Sequence, residues 1–142
     1  MISPYIIAGA AGWIAAQGAK YILNTIKKNK NSRGILGLYI SGGMPSAHSA
    51  TIVAVTTVIG LKDGIDSGLF GLALLMACIV MYDAMMVRRS SGLQGEALTN
   101  LIQQIKLDIK LPRFAKGHQP IEVVAGALLG AIIGYVVFFA TK

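Results

Sequence analysis

The sequence predicts an all-α, polytopic membrane helical bundle, with about four transmembrane helices and one amphipathic interfacial helix in a single domain over residues 1–142. Three observations carry that expectation. Of 142 residues, 54% are hydrophobic, and the mean hydropathy is +0.63. Only 13% are charged, against about 25% in a typical soluble domain, so the chain cannot clothe a globular surface. Apolar stretches of spanning length recur along it, and a transmembrane helix needs about 20 such residues. High hydrophobicity also excludes disorder. The 17 glycines lack the three-residue period of collagen.

The first helix is expected from Pro4 to Ile26, interrupted by Gln17 and Lys20. The second runs from Pro45 to Leu61 and opens on small polar residues. The third runs from Leu69 to Val87, with Asp83 near its end, and the fourth from Ile121 to Thr141, with Glu122 at its start. All four are rich in glycine or alanine, which lets helices approach closely where lipid supplies no hydrophobic drive. Gly126, Gly130 and Gly134 stand four apart, on one face of the fourth helix, and read as a packing seam. Between the third and fourth helices, Leu93, Leu98, Leu101, Ile102, Ile105 and Ile109 recur at helical spacing. They predict an amphipathic helix that lies along the interface or packs on a partner subunit. The one cysteine, Cys78, lies within an apolar run, so no intrachain disulfide is expected. Met1 to Ile7 lacks the basic region of a cleavable signal peptide.

Charge divides the connections. Ten of the thirteen Lys and Arg residues fall in two of them: Lys27, Lys28, Lys30 and Arg33 in the first, and Arg88, Arg89, Lys106, Lys110, Arg113 and Lys116 in the third. The middle connection holds Lys62, Asp63 and Asp66. The positive-inside rule then places the basic face in the cytoplasm and both termini outside, as in a bacterial-type plasma membrane. In so apolar a chain, the formal charge of +7 points to a membrane surface or an anionic substrate, and no nucleic acid partner is expected.

Both histidines sit where basic connections enter helices. His48 lies in Gly42-Gly43-Met44-Pro45-Ser46-Ala47-His48-Ser49, and His118 in Gly117-His118-Gln119-Pro120-Ile121-Glu122. Pro45 and Pro120 each suit the first position of a helix. The helix starts behind them offer unpaired N–H groups and a positive dipole end, which favour an anion such as phosphate. Lys20, Arg33, Arg88 and Arg89 crowd the same face. Singly, each has a plainer reading as a cation at a negative helix end or a side chain reaching for headgroups. Asp83 reads as a buried partner for Arg88 or Arg89. Glu122, four residues after His118, lies within reach of its imidazole and would fix its tautomer. Two histidines and two carboxylates could bind zinc, but no HxxxH, HExxH or Cys-His cluster is present, and the surrounding cations oppose it.

On those residues the sequence resembles the divergent branch of the type 2 phosphatidic acid phosphatase superfamily, related to acid phosphatases and vanadium-dependent haloperoxidases. The resemblance extends through Val80-Met81-Tyr82-Asp83-Ala84, Val87-Arg88-Arg89 with Gly92 and Gln94, and His118 to Gly126. In the wider superfamily the motifs are a Lys/Arg pair, a Pro-Ser-Gly-His segment, and an Arg followed by a His and an acid. Here Pro45-Ser46-Ala47-His48 matches the second, with Ala47 for glycine. His118 and Glu122 match the end of the third, with Glu for Asp. Lys20 and Arg33 stand for the first at wider spacing, and Arg88 or Arg89 supplies the third-motif arginine from far upstream. The resemblance implies hydrolysis of a lipid phosphate or isoprenoid diphosphate through a phosphohistidine, without cofactor or metal. His118 would be the nucleophile, Glu122 would orient it, and His48 would be the general acid. Lys20, Arg33, Arg88, Arg89 and Ser46 would hold the phosphoryl group, with Asp83 in support. Substrate would arrive from the surrounding membrane lipids. Two other readings stay open, a non-catalytic binder of anions or lipid headgroups and a small oligomeric transporter. So thin a bundle, together with the glycine seam, also predicts a homodimer.

Overall fold

The structure, a computed structural model, describes residues 2–26, 43–106, 109 and 117–142. Among these it is helical throughout: α1 (Pro4–Ile26), α2 (Ala47–Lys62), α3 (Gly68–Tyr82), a π-turn (Asp83–Val87), α4 (Arg88–Gln104) and α5 (Pro120–Ala140). Short polar residues start the helices. Ser46 caps α2 by accepting the Ser49 N–H at 3.4 Å, and Ser67 caps α3 by accepting that of Phe70 at 3.1 Å. Pro120 takes the first position of α5, as expected, but Pro45 does not take that of α2. Ser46 intervenes as the cap, because its hydroxyl can satisfy an N–H that proline leaves unserved.

One expectation needs correction. The third helix was expected to stop at Val87, with the amphipathic segment a separate element; instead α3, the π-turn and α4 form one helix of 37 residues, Gly68–Gln104. Tyr82, Asp83, Val87 and Arg88 all keep right-handed helical backbone angles. No Gly or Pro lies between Asp83 and Ser91 to break the helix, and a pair of arginines marks a change of solvent without ending one. Among the described residues three helices are long and apolar enough to cross a membrane, and the shorter apolar α2 has 16 residues, about 24 Å against the roughly 30 Å hydrocarbon layer.

That short helix is the hub, packed against α1, α3 and α5. It runs antiparallel to α1, whose Tyr5 hydroxyl donates to Asp63 Oδ2 at the far end, 2.6 Å away. It runs parallel to α5, along the glycine seam: Gly126 abuts Ser46, Gly130 abuts Ala50, and Gly134 abuts Ala54 and Thr57. The seam is therefore filled within the chain, and a second copy cannot use it. Gly12 of α1 meets the Ala50 backbone as well. The interior is accordingly made of small residues, with Ala8, Ala16, Ala50, Ala54 and Val58 fully buried. Large apolar side chains such as Leu72, Leu75, Ile132 and Phe139 face outward. This inverts a soluble domain and suits lipid as solvent, where close backbone packing replaces the hydrophobic effect as the force between helices.

Candidate functional site

Four elements meet at one end of the bundle: the last turns of α1, the start of α2, the π-turn and the start of α5. The parallel pair α2 and α5 is joined there by the backbone, where Ser46 N–H donates to the Glu122 carbonyl at 2.9 Å. Because Ser46 meets α5 at Glu122 and Gly126, α2 begins about one turn deeper than α5.

His118 is the best supported side chain of the cluster. It is 4% exposed, and its Nδ1 lies 2.9 Å from Glu122 Oε2, the contact that the four-residue spacing predicts. The same carboxylate oxygen accepts the Gln119 N–H at 3.1 Å, so α5's own first turn holds Glu122 in place. The backbone of His118 is tied as well, its N–H donating to the Ala84 carbonyl at 3.0 Å. Gly117 makes that approach possible. Its φ is +69°, and a β-carbon there would collide with the backbone of Arg88 and Arg89.

His48, in the first turn of α2, is exposed and presents its ring at 66° to that of His118, with centroids 6.3 Å apart. Lys20, Arg88, Asp83 and His118 all lie within electrostatic range of it. Lys20 is only 6% exposed, close enough to Glu122 to feel its charge, and its stem runs beside Gly43. No side-chain hydrogen bond or ion pair of Lys20 occurs among the described residues. Of the two adjacent arginines, Arg88 carries the ion pair, its Nε 2.6 Å from Asp83 Oδ2. The pair is not buried as expected, since its side chains remain 44% and 37% exposed. Nor does either arginine cap a negative helix end, because the helix runs on through α4. Arg89 is exposed and makes no ion pair among the described residues.

Ser46 has a structural place at the junction of α2 and α5. It is fully buried, its N–H is spent on Glu122, and its Oγ accepts from Ser49 N and lies 3.1 Å from Ser49 Oγ. It thus joins α2 to α5. Arg33 lies outside the described residues, as do Lys27, Lys28, Lys30, Lys110, Arg113 and Lys116. Among the described residues no group of three or more His, Cys, Asp or Glu is placed to hold a metal ion. What the sequence conceals is the π-turn and the Ala84 carbonyl; the one visible hint is Gly117 immediately before His118.

The Divergent PAP2 family matches residues 2–133. The uncharacterized membrane protein YuiD of Bacillus subtilis (strain 168) is 35% identical over 114 residues, covering 70% of this chain and 72% of its own length. No solved structure matches the chain. A match over nearly the whole length, on a helical membrane bundle that gathers both histidines at one end, establishes that the chain belongs to the divergent PAP2 family.

Proposed function

We propose that the chain is a membrane-embedded phosphatase that hydrolyses a lipid phosphate or an isoprenoid diphosphate through a phosphohistidine, without a cofactor. One observation carries the reading: His118, backed at Nδ1 by Glu122, stands opposite His48, with the buried side chain of Lys20, which makes no ion pair among the described residues, close by. An ionised carboxylate only accepts hydrogen bonds, so Nδ1 keeps its proton and the Nε2 lone pair is left to react. Nε2 attacks phosphorus as the bond from phosphorus to the leaving oxygen breaks, and His48 protonates that oxygen. Water then attacks the phosphohistidine, giving a proton to the now neutral His48, and the P–N bond breaks to release phosphate and restore His118. Lys20 and Arg88, with Arg33 and Arg89 by resemblance and the N-termini of α2 and α5, offset the charge of the phosphoryl oxygens. Asp83 holds Arg88 ready.

In this reading the basic end of the bundle faces the cytoplasm and both termini lie outside. A homodimer remains part of the proposal, on the thinness of the bundle alone.

The test is phosphate release from a panel of lipid phosphates and isoprenoid diphosphates by detergent-purified protein. His118→Ala should abolish release, and His48→Ala should lower it by at least about 100-fold. Unchanged release in either variant would sink the assignment. Binding of orthovanadate without hydrolysis of any substrate in the panel would instead favour the non-catalytic anion binder.

A further inference from the structure

The π-turn interrupts an otherwise continuous helix at the level of both histidines, and its geometry has two outputs. The first concerns Arg88. In an α-helix, residues five apart point about 140° away from each other, so Asp83 and Arg88 would not meet. Neither Arg88 nor Arg89 stands three or four residues from Asp83. The π-turn adds a residue to the turn, Arg88 N–H bonds to the Asp83 carbonyl five residues back, and the side chains of that pair come within 2.6 Å. The second concerns His118. In an α-helical ladder the Arg88 N–H would occupy the carbonyl of Ala84, four residues back. With that N–H taken by Asp83, the Ala84 carbonyl accepts the N–H of His118, which is buried and has no water to fall back on. Gly117, pressed against the Arg88–Arg89 backbone, lets the two strands of chain come that close.

We infer that the π-turn Asp83–Val87 is the positioning element of the site. Through the Ala84 carbonyl it holds His118, and by its extra residue it turns Arg88, rather than Arg89, toward the same centre. This rests on the phosphatase reading for what is positioned, but the tether itself does not depend on turnover. π-turns inside α-helices recur at functional sites because they re-aim groups that a regular ladder would consume.

Deleting Met85 separates the two outputs. The shortened segment can close an i→i−4 ladder, Asp83 and the arginine become an i,i+4 pair and stay together, and the Ala84 carbonyl is recaptured by the helix. In hydrogen-exchange mass spectrometry of the protein in nanodiscs, the segment 117–119 should lose about tenfold or more of its protection. In the phosphate-release assay kcat should fall by at least about tenfold while KM stays within about threefold, because the anion-binding arginine is retained. Met85→Leu, which keeps the chain length, should change neither. If the deletion leaves protection at 117–119 unaltered, the tether is refuted. If the deletion loses that protection while the wild type hydrolyses nothing, the tether stands and the phosphatase reading falls. A second comparison needs no deletion: Arg88→Ala should weaken orthovanadate binding at least about tenfold more than Arg89→Ala does. Equal losses, or the reverse order, would refute the arginine assignment even if the deletion variant does not fold.

Discussion

Gly130→Ala and Gly71→Ala make the same chemical change in two helices and should have opposite consequences. At Gly71 a β-carbon meets nothing within 4 Å, on the exposed side of α3. There the substitution removes the backbone freedom of glycine and should stabilise the fold by up to about 1 kcal/mol. At Gly130 the added carbon would stand 2.9 Å from Ala50 Cα and 3.0 Å from Ala50 C, and nearer still to its carbonyl oxygen. All three are backbone atoms of the central helix, so nothing can rotate away, and α5 must back off along its seam. Overpacking of this kind costs about 1–3 kcal/mol. The glycine-to-alanine gain is common to both variants and cancels, which leaves a difference of about 1–3 kcal/mol against Gly130→Ala. Unfolding in SDS mixed micelles measures it, read by helical circular dichroism and by the fluorescence of Trp13, the one tryptophan. Gly130→Ala should also slow phosphate release, because α5 carries His118 against His48. Equal stability of the two variants, or a more stable Gly130→Ala, would refute the claim that the α2–α5 contact is made backbone to backbone.

Glu122→Ala should lower kcat by at least about 100-fold, with KM little changed, because it removes the acceptor that orients His118. Glu122→Gln can still accept from His118 and Gln119 through its amide oxygen and should lose less; an undiminished rate in Glu122→Ala would contradict the pairing. For sidedness, single cysteines in a Cys78→Ser background should label from outside the cell at Lys62→Cys and only after permeabilisation at Asn31→Cys. The reverse pattern inverts the proposed orientation.

Much of this architecture is legible in the sequence because it is written in composition. Apolar runs bounded by Pro, Ser or charge give α1 to its observed ends and α5 to within a residue, and four-residue glycine spacing gives the α5 seam. The His118–Glu122 contact is legible for a similar reason, since i,i+4 is a rule of the helix itself. The π-turn is not. Asp-Ala-Met-Met-Val carries no residue that an α-helix rejects, so nothing local announces the extra residue, and every side chain beyond it is rotated relative to an α-helical reading. That is why Arg88 and Arg89 read as equivalent partners for Asp83 in the sequence. The capping role of Ser46 is hidden for another reason. A serine beside a histidine at a helix start fits an anion site and a structural cap equally well, and its burial against Glu122 is visible only in the fold.

The glycine seam also acts as a vernier. Its teeth recur every four residues, so α5 could slide along α2 only in notches of about 6 Å. One notch is as large as the 6.3 Å between the two imidazoles, and a bundle seated one notch off would pack comparably yet hold its histidines apart. Gly134, about 21 Å along α5 from Pro120, therefore helps set the height of a ring it never touches. Errors in assembly would accordingly be all or nothing, giving either the working register or none.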